Sequence, residues 1–184
     1  MSVKQAYENH LDNEKAKWFA VYTHFKREKI ALKYLQRKGI CAYLPTQKKV
    51  RQYTRKIRTV ELPLISCYIF VKITKQEYVK VLETEHILNF VKFSKNLISI
   101  PEKEIELMKW VLGEGIEVNI NKISLHAGDQ VEIISGNLTG LTGLLLQTQN
   151  KNQVLVDLNF IGYTLAITID ARLLRKIGAT SLVG

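Results

Sequence analysis

Glu61-Leu62-Pro63-Leu64-Ile65-Ser66-Cys67-Tyr68-Ile69-Phe70-Val71-Lys72 comes after a strongly basic segment and precedes a polar turn, and its second half is β-branched and aromatic. Such a run reads as a central strand. Every position from Tyr68 to Val71 is apolar, which predicts cover on both faces, because a half-exposed strand alternates apolar with polar. Pro63 has no N–H for a ladder, so the strand starts after it and Leu64 to Cys67 form an entry segment. Tyr68 and Phe70 are two apart and share a face. That face is either core or an aromatic docking surface, and on the strand pattern alone plain core is the simpler account.

Working outward, 18–23 (Trp-Phe-Ala-Val-Tyr-Thr) suits a strand, with Thr23 or His24 able to cap the helix after it. Over 26–38 the positions Ile30, Ala31, Tyr34 and Leu35 make one helical stripe opposite a Lys/Arg face, and Gly39 stops the helix as a C′ residue. A strand over 40–44 ends at Pro45. The sparse apolar residues of 47–60 predict a long exposed hairpin with its tip at Tyr53-Thr54-Arg55. Beyond the central strand, Tyr78, Val79 and Leu82 have helical spacing, 87–93 reads as a strand, and Pro101 opens a helix striped by Ile105, Met108, Val111 and Leu112. The expected order is β-α-β-β-β-α-β-α, an α+β sandwich of an antiparallel sheet flanked by helices over 18–112, preceded by a polar tail over 1–17. Residues 113–124, with two Gly and two Asn, read as a linker. Short strands at 130–134, 143–148, 153–158 and 164–169, separated by turn residues, predict a small β-barrel over 125–177, with a tail over 178–184.

The composition narrows the function. No apolar run is long enough to span a membrane and the N-terminus has no secretory pattern, so a membrane partner is not expected and a cytoplasmic location is. Cys41 and Cys67 have no CxxC spacing, which disfavours a zinc site or a disulfide framework. Of a formal net charge of +10, the segment 26–58 carries +11, with twelve Lys or Arg against the single acid Glu28. A local patch of this kind is either a solvated face or the electrostatic footprint of a nucleic-acid contact, with Tyr53 interleaved. The four histidines have no metal spacing, no phosphate-binding glycine loop occurs, and Ser66 and Ser135 have no identifiable base. No catalytic set, metal or cofactor is therefore expected. Binding is.

Three blocks carry a resemblance: 18–23 with the basic helix ending at Gly39, then Pro63-Leu64-Ile65-Ser66-Cys67-Tyr68-Ile69-Phe70-Val71, then Asn89-Phe90-Val91-Lys92-Phe93. Together they resemble the N-terminal (NGN) domain of the NusG family of transcription elongation factors. Gly128 to Gly136, Gly140-Leu141-Thr142-Gly143 and Phe160-Ile161-Gly162-Tyr163 resemble that family's KOW module, an SH3-like barrel. The basic hairpin, the N-terminal tail and Leu88-Asn89-Phe90-Val91 look closest to specialised paralogues of the UpxY and RfaH kind.

The resemblance implies a factor that docks on the clamp helices of bacterial RNA polymerase and suppresses pausing or termination, at specific operons. By match of position its docking surface is Tyr22, Ile65, Tyr68, Phe70 and Phe90. Lys26, Arg27, Lys48, Lys49, Arg51, Arg55, Lys56 and Arg58 are the expected nucleic-acid contacts, touching the backbone of upstream or non-template DNA. The ribosome or a termination factor would be partners of the KOW module. Two departures stand out: Ile65-Ser66 replaces a frequent Phe-Pro, and no His-Thr-Thr element occurs around Tyr78 to Leu82. The alternatives are a housekeeping factor of the same family and a ribosomal RNA-binding KOW protein, and the extra domain over 18–112 argues against the latter.

Overall fold

The computed structural model describes residues 7–53, 56–115, 118–121, 129–148, 151–158 and 163–177. The chain divides into two compact units, one formed by 1–46 with 61–106 and the other by 47–60 with 107–184.

In the first unit, β1 (Lys17–Thr23), α1 (Glu28–Arg37) and β2 (Cys41–Tyr43) precede the two hairpin strands β3 (Thr46–Tyr53) and β4 (Lys56–Pro63), whose outer parts belong to the second unit. Then come β5 (Tyr68–Ile73), a single 3-10 turn, α2 (Tyr78–Leu82), β6 (Ile87–Phe90) and α3 (Glu102–Gly113), whose residues from Leu107 on belong to the second unit. The order holds one strand more than the sequence predicts, because both arms of the basic hairpin are strands in their own right. The main sheet runs β2-β5-β1-β6 and is antiparallel throughout, so β5 is internal and Leu64 to Cys67 form a turn ahead of it, as Pro63 dictates.

Odd-numbered residues of β1 and β5 (Phe19, Val21, Ile69, Val71, Ile73) face α1 and α2 and close a core with Ala31, Leu35, Val81, Ile87 and Phe90. Gly39, at φ +75°, terminates α1 in the left-handed conformation that a Cβ would strain. Even-numbered residues occupy the other face. Lys72 Nζ, on that face, pairs with Glu102 at 2.8 Å, and Ile100 bridges β1 in the plane of the sheet, its N–H donating to Trp18 C=O at 2.8 Å, so the first turn of α3 is fastened to the Trp18–Lys72 end of the sheet. The Glu102 hydrogen bond also holds the Lys72 ammonium above its ordinary pKa.

Two expectations are corrected here. The predicted strand over 87–93 stops at Phe90: Val91 N–H still reaches Ala20 C=O, but Ser94 and Lys95 take positive φ and turn the chain back. Within the stretch expected as a polar tail, residues 7–10 are held against the chain that follows β6. Asn9 bridges Leu97 in parallel, and the N–H of Leu97 donates to Glu8 C=O at 2.9 Å.

In the second unit, β7 (Val118–Asn121), β8 (Gln130–Ile133), β9 (Thr142–Thr148), β10 (Lys151–Leu158), β11 (Tyr163–Thr168) and β12 (Leu174–Lys176) form an antiparallel sheet in the order β12-β8-β9-β10-β11-β7. Val131 and Ile133 are buried on either side of half-exposed Glu132, and Gly140, at φ +90°, donates to Ile133 C=O at 2.7 Å to close the β8–β9 turn. Within 113–124, the stretch expected as a linker, α3 ends at Gly113 and β7 pairs with β11 from Val118 to Asn121. Its period-two pattern, Val-Asn-Ile-Asn, spans only four residues. Residues 159–162, which include all but the last residue of the Phe160-Ile161-Gly162-Tyr163 block, lie outside the described residues.

Candidate functional site

At the end of the first unit's sheet away from Lys72, the even-numbered face carries an aromatic pair. Tyr22 and Tyr68 are cross-strand neighbours in the β1–β5 ladder, with ring centroids 4.9 Å apart in an edge-on arrangement and hydroxyls 3.2 Å apart. Tyr22 is 37 % exposed and Tyr68 half-buried. Phe70, next on the same face, is 0 % exposed and stacks with Tyr43 of β2 at 6.4 Å. Burial pushes the Tyr43 hydroxyl up to about 12. The face therefore grades from closed core at Phe70 to an accessible aromatic rim at Tyr22 and Tyr68. Closed core and accessible aromatic rim are two ends of one strand face.

The turn that leads into Tyr68 is tightly specified. Cys67 sits at φ +66°, its N–H donates to Glu28 Oε1 at 2.8 Å, and its C=O accepts from Thr23 N–H at 2.9 Å. Burial, with Glu28 nearby, raises the Cys67 thiol above its ordinary pKa and so disfavours a reactive thiolate. Ile65, in the same turn, is buried.

Of the five expected docking residues, the structure brings Tyr22, Tyr68 and Phe70 together on one face and places Phe90 on the other. Phe90 pairs with Val21 in the β1–β6 register, and Val21 points opposite to Tyr22. It is 2 % exposed, edge-on to Phe19 at 6.2 Å and stacked on Tyr78 at 4.6 Å. It is a core residue under α2. The register puts Asn89 opposite Tyr22 instead, and Asn89 is exposed. The sequence carries no signal for it, because Ile87 to Phe93 do not alternate and only the β1–β6 register turns Phe90 inward and Asn89 outward.

The basic candidates fall in both units. In the first, Lys26 (φ +59°) and Arg27 are exposed just before α1, with Lys26 Nζ 5.1 Å from the ring centroid of exposed Phe25. Lys29, on α1, is engaged with Glu61 at 3.1 Å. In the second, Lys48, Lys49 and Arg58 are exposed on the hairpin, beside Val50 and Ile57, each 70 % exposed. Arg51 lies in β3 and Lys56 in β4, and Arg55 lies outside the described residues.

Among the described histidines, His10 has both a carboxylate and a hydroxyl beside it: Nε2 lies 2.6 Å from Glu8 Oε1 and Nδ1 3.0 Å from Ser99 Oγ. Nδ1 also accepts the Ser99 backbone N–H at 3.0 Å, so its lone pair is committed to a structural bond and cannot serve as a base for Ser99. Among the described residues no cluster of His, Cys, Asp or Glu could hold a metal, and no helix is long and apolar enough to cross a membrane.

A family model described as transcription termination factor NusG matches residues 16–109, just over half of the chain. The chain belongs to the NusG family. Among solved structures, one described as "Domain interaction in Thermotoga maritima NusG" is similar at a TM-score of 0.55 and 17% identity, covering 89% of this chain and 98% of that one, a likeness of fold. A crystal structure of the MjSpt4:Spt5 complex is a weaker likeness, at a TM-score of 0.30 and 18% identity over 88% of this chain and 97% of that one, and bears on nothing further. No curated protein sequence matches. In this NusG-family chain the match covers the four-stranded sheet and most of α3, and so includes the Tyr22–Tyr68 rim and the hairpin.

Proposed function

We propose that this chain is a non-catalytic transcription elongation factor of the specialised, antiterminating kind. It docks on the clamp helices of bacterial RNA polymerase with the Tyr22–Tyr68 end of its sheet and suppresses pausing or termination. The observation that carries this reading is the accessible aromatic pair at the open end of a sheet face whose other end is closed: rings with an apolar edge and a hydroxyl suit an apolar helical tip with a polar flank. Phe70 and Ile65 back that rim as buried support. Asn89, beside Tyr22, is a further contact in this reading.

The exposed cations Lys26, Arg27, Lys48, Lys49 and Arg58 supply backbone contacts to upstream or non-template DNA, which are salt-sensitive and indifferent to base sequence. The C-terminal sheet belongs to an SH3-like KOW barrel, an independent domain that takes a ribosome or termination-factor partner. In this reading the NGN domain spans 18–112 and the KOW domain 125–177.

Pull-down of core RNA polymerase with the full chain tests the docking, and a single-round transcription assay over a terminator template tests the sense of the effect. Increased read-through supports antitermination. The family description as a termination factor favours a second reading, a housekeeping factor that promotes termination, and decreased read-through would establish it.

A further inference from the structure

Glu28 is the single acid in a segment of twelve cations, and yet it is 4 % exposed. A carboxylate in the first turn of α1 favours the helix dipole, but that role does not require burial. What burial secures is a specific bond: Oε1 accepts the N–H of Cys67 at 2.8 Å, across 39 residues of sequence. Cys67 is not glycine, and at φ +66° it holds a conformation that L-residues rarely adopt. Its N–H is clamped by Glu28 and its C=O by Thr23 N–H, so the backbone is fixed on both sides of the strained residue. The next residue is Tyr68. Thr23, the other clamp, adjoins Tyr22 in the same way.

We propose that Glu28 is a positioning residue for the docking rim, holding the left-handed turn at Cys67 so that Tyr68 meets Tyr22 in the geometry that receives the partner. This rests on the reading of the Tyr22–Tyr68 end as the docking surface. Without the carboxylate, the Cys67 N–H loses its acceptor and the residue relaxes toward negative φ. That rotates the peptide leading into β5 and carries the Tyr68 ring away from Tyr22. The effect is local: the β1–β5 ladder from Val21–Ile69 onward is held by its own backbone bonds.

The test compares the full chain with Glu28→Ala and Glu28→Gln, alone and in a Tyr68→Ala background. Gln loses the charge that favours the helix dipole but keeps a side-chain oxygen that can accept from Cys67. The first readout is amide hydrogen exchange at Cys67, Ile69 and Val71. Losing a hydrogen bond to a charged acceptor should speed Cys67 exchange by about tenfold or more in Glu28→Ala, with Ile69 and Val71 unchanged and Glu28→Gln close to wild type. The second readout is affinity for core RNA polymerase. A loss of about tenfold in Glu28→Ala, largely restored in Glu28→Gln and absent when Tyr68 is already Ala, supports the proposal.

Unchanged exchange at Cys67, or faster exchange across the whole strand, overturns it, as does a binding loss that adds in full to that of Tyr68→Ala. If the wild-type chain does not bind polymerase, the docking reading fails on that result. The exchange measurement then decides by itself whether Glu28 holds the turn.

Discussion

Replacing Phe90 with Ala separates a core role from a docking role at the position where a family motif and the structure disagree. The ring is 2 % exposed, lies edge-on to Phe19 and stacks on Tyr78, so its removal leaves a cavity beneath α2 as well as losing two aromatic contacts. Truncating a buried Phe to Ala typically costs about 3–5 kcal/mol, part of it the lost transfer free energy and part the cavity. Tyr22→Ala, at a rim residue, should cost under about 1 kcal/mol of stability. Urea unfolding monitored by circular dichroism measures the difference. With m of about 1–2 kcal/mol/M, the midpoint of Phe90→Ala should fall by roughly 2 M, while that of Tyr22→Ala moves by a few tenths. Phe90→Leu should recover most of the loss. A Phe90→Ala chain with wild-type stability would refute the register that places Phe90 beside Val21, and the face assignment with it.

Three further outcomes are set by the geometry. Tyr43 is neutral in the fold up to about pH 12, whereas its unfolded counterpart ionises near 10; the unfolded state therefore releases a proton first, and stability should fall as pH rises through 10–12. Tyr43→Phe should remove that part of the fall in a pH series of unfolding midpoints. Gly39→Ala should destabilise by about 1 kcal/mol purely through φ +75°, since a Cβ there meets no neighbour within 4 Å. Replacing Lys48, Lys49 and Arg58 with Gln should flatten the dependence of DNA affinity on salt by about two to three phosphate contacts in a log–log plot, and an unchanged slope would reduce the hairpin to a solvated face.

Much of the first unit is legible in the sequence because its elements announce themselves locally. The unbroken run from Tyr68 to Val71 marks an internal strand, Pro63 sets its start, and Gly39 ends α1. The aromatic rim is legible too, as Tyr22 and Tyr68 sit in the two most recognisable blocks. The features that are not legible depend on pairing. The apolar residues of 87–93 do not alternate, so only the Val21–Phe90 register reveals that Phe90 faces inward and Asn89 outward. Glu28 looks like one acid in a basic helix until the turn at Cys67 is folded against it. β7 and β12 are four and three residues long, too short for any period to rise above the polar residues around them.

The central functional claim is that the Tyr22–Tyr68 rim receives RNA polymerase. Its most direct test is the dissociation constant for core polymerase, measured at one ionic strength for the wild-type chain, Tyr68→Ala and Tyr22→Ala, each confirmed folded by circular dichroism. An aromatic anchor in a desolvated contact is worth about 2 kcal/mol or more, so Tyr68→Ala should weaken binding by roughly thirtyfold, and Tyr22→Ala, nearer the edge, by less. Wild-type affinity in both folded variants would contradict that claim and move the docking surface elsewhere on the chain.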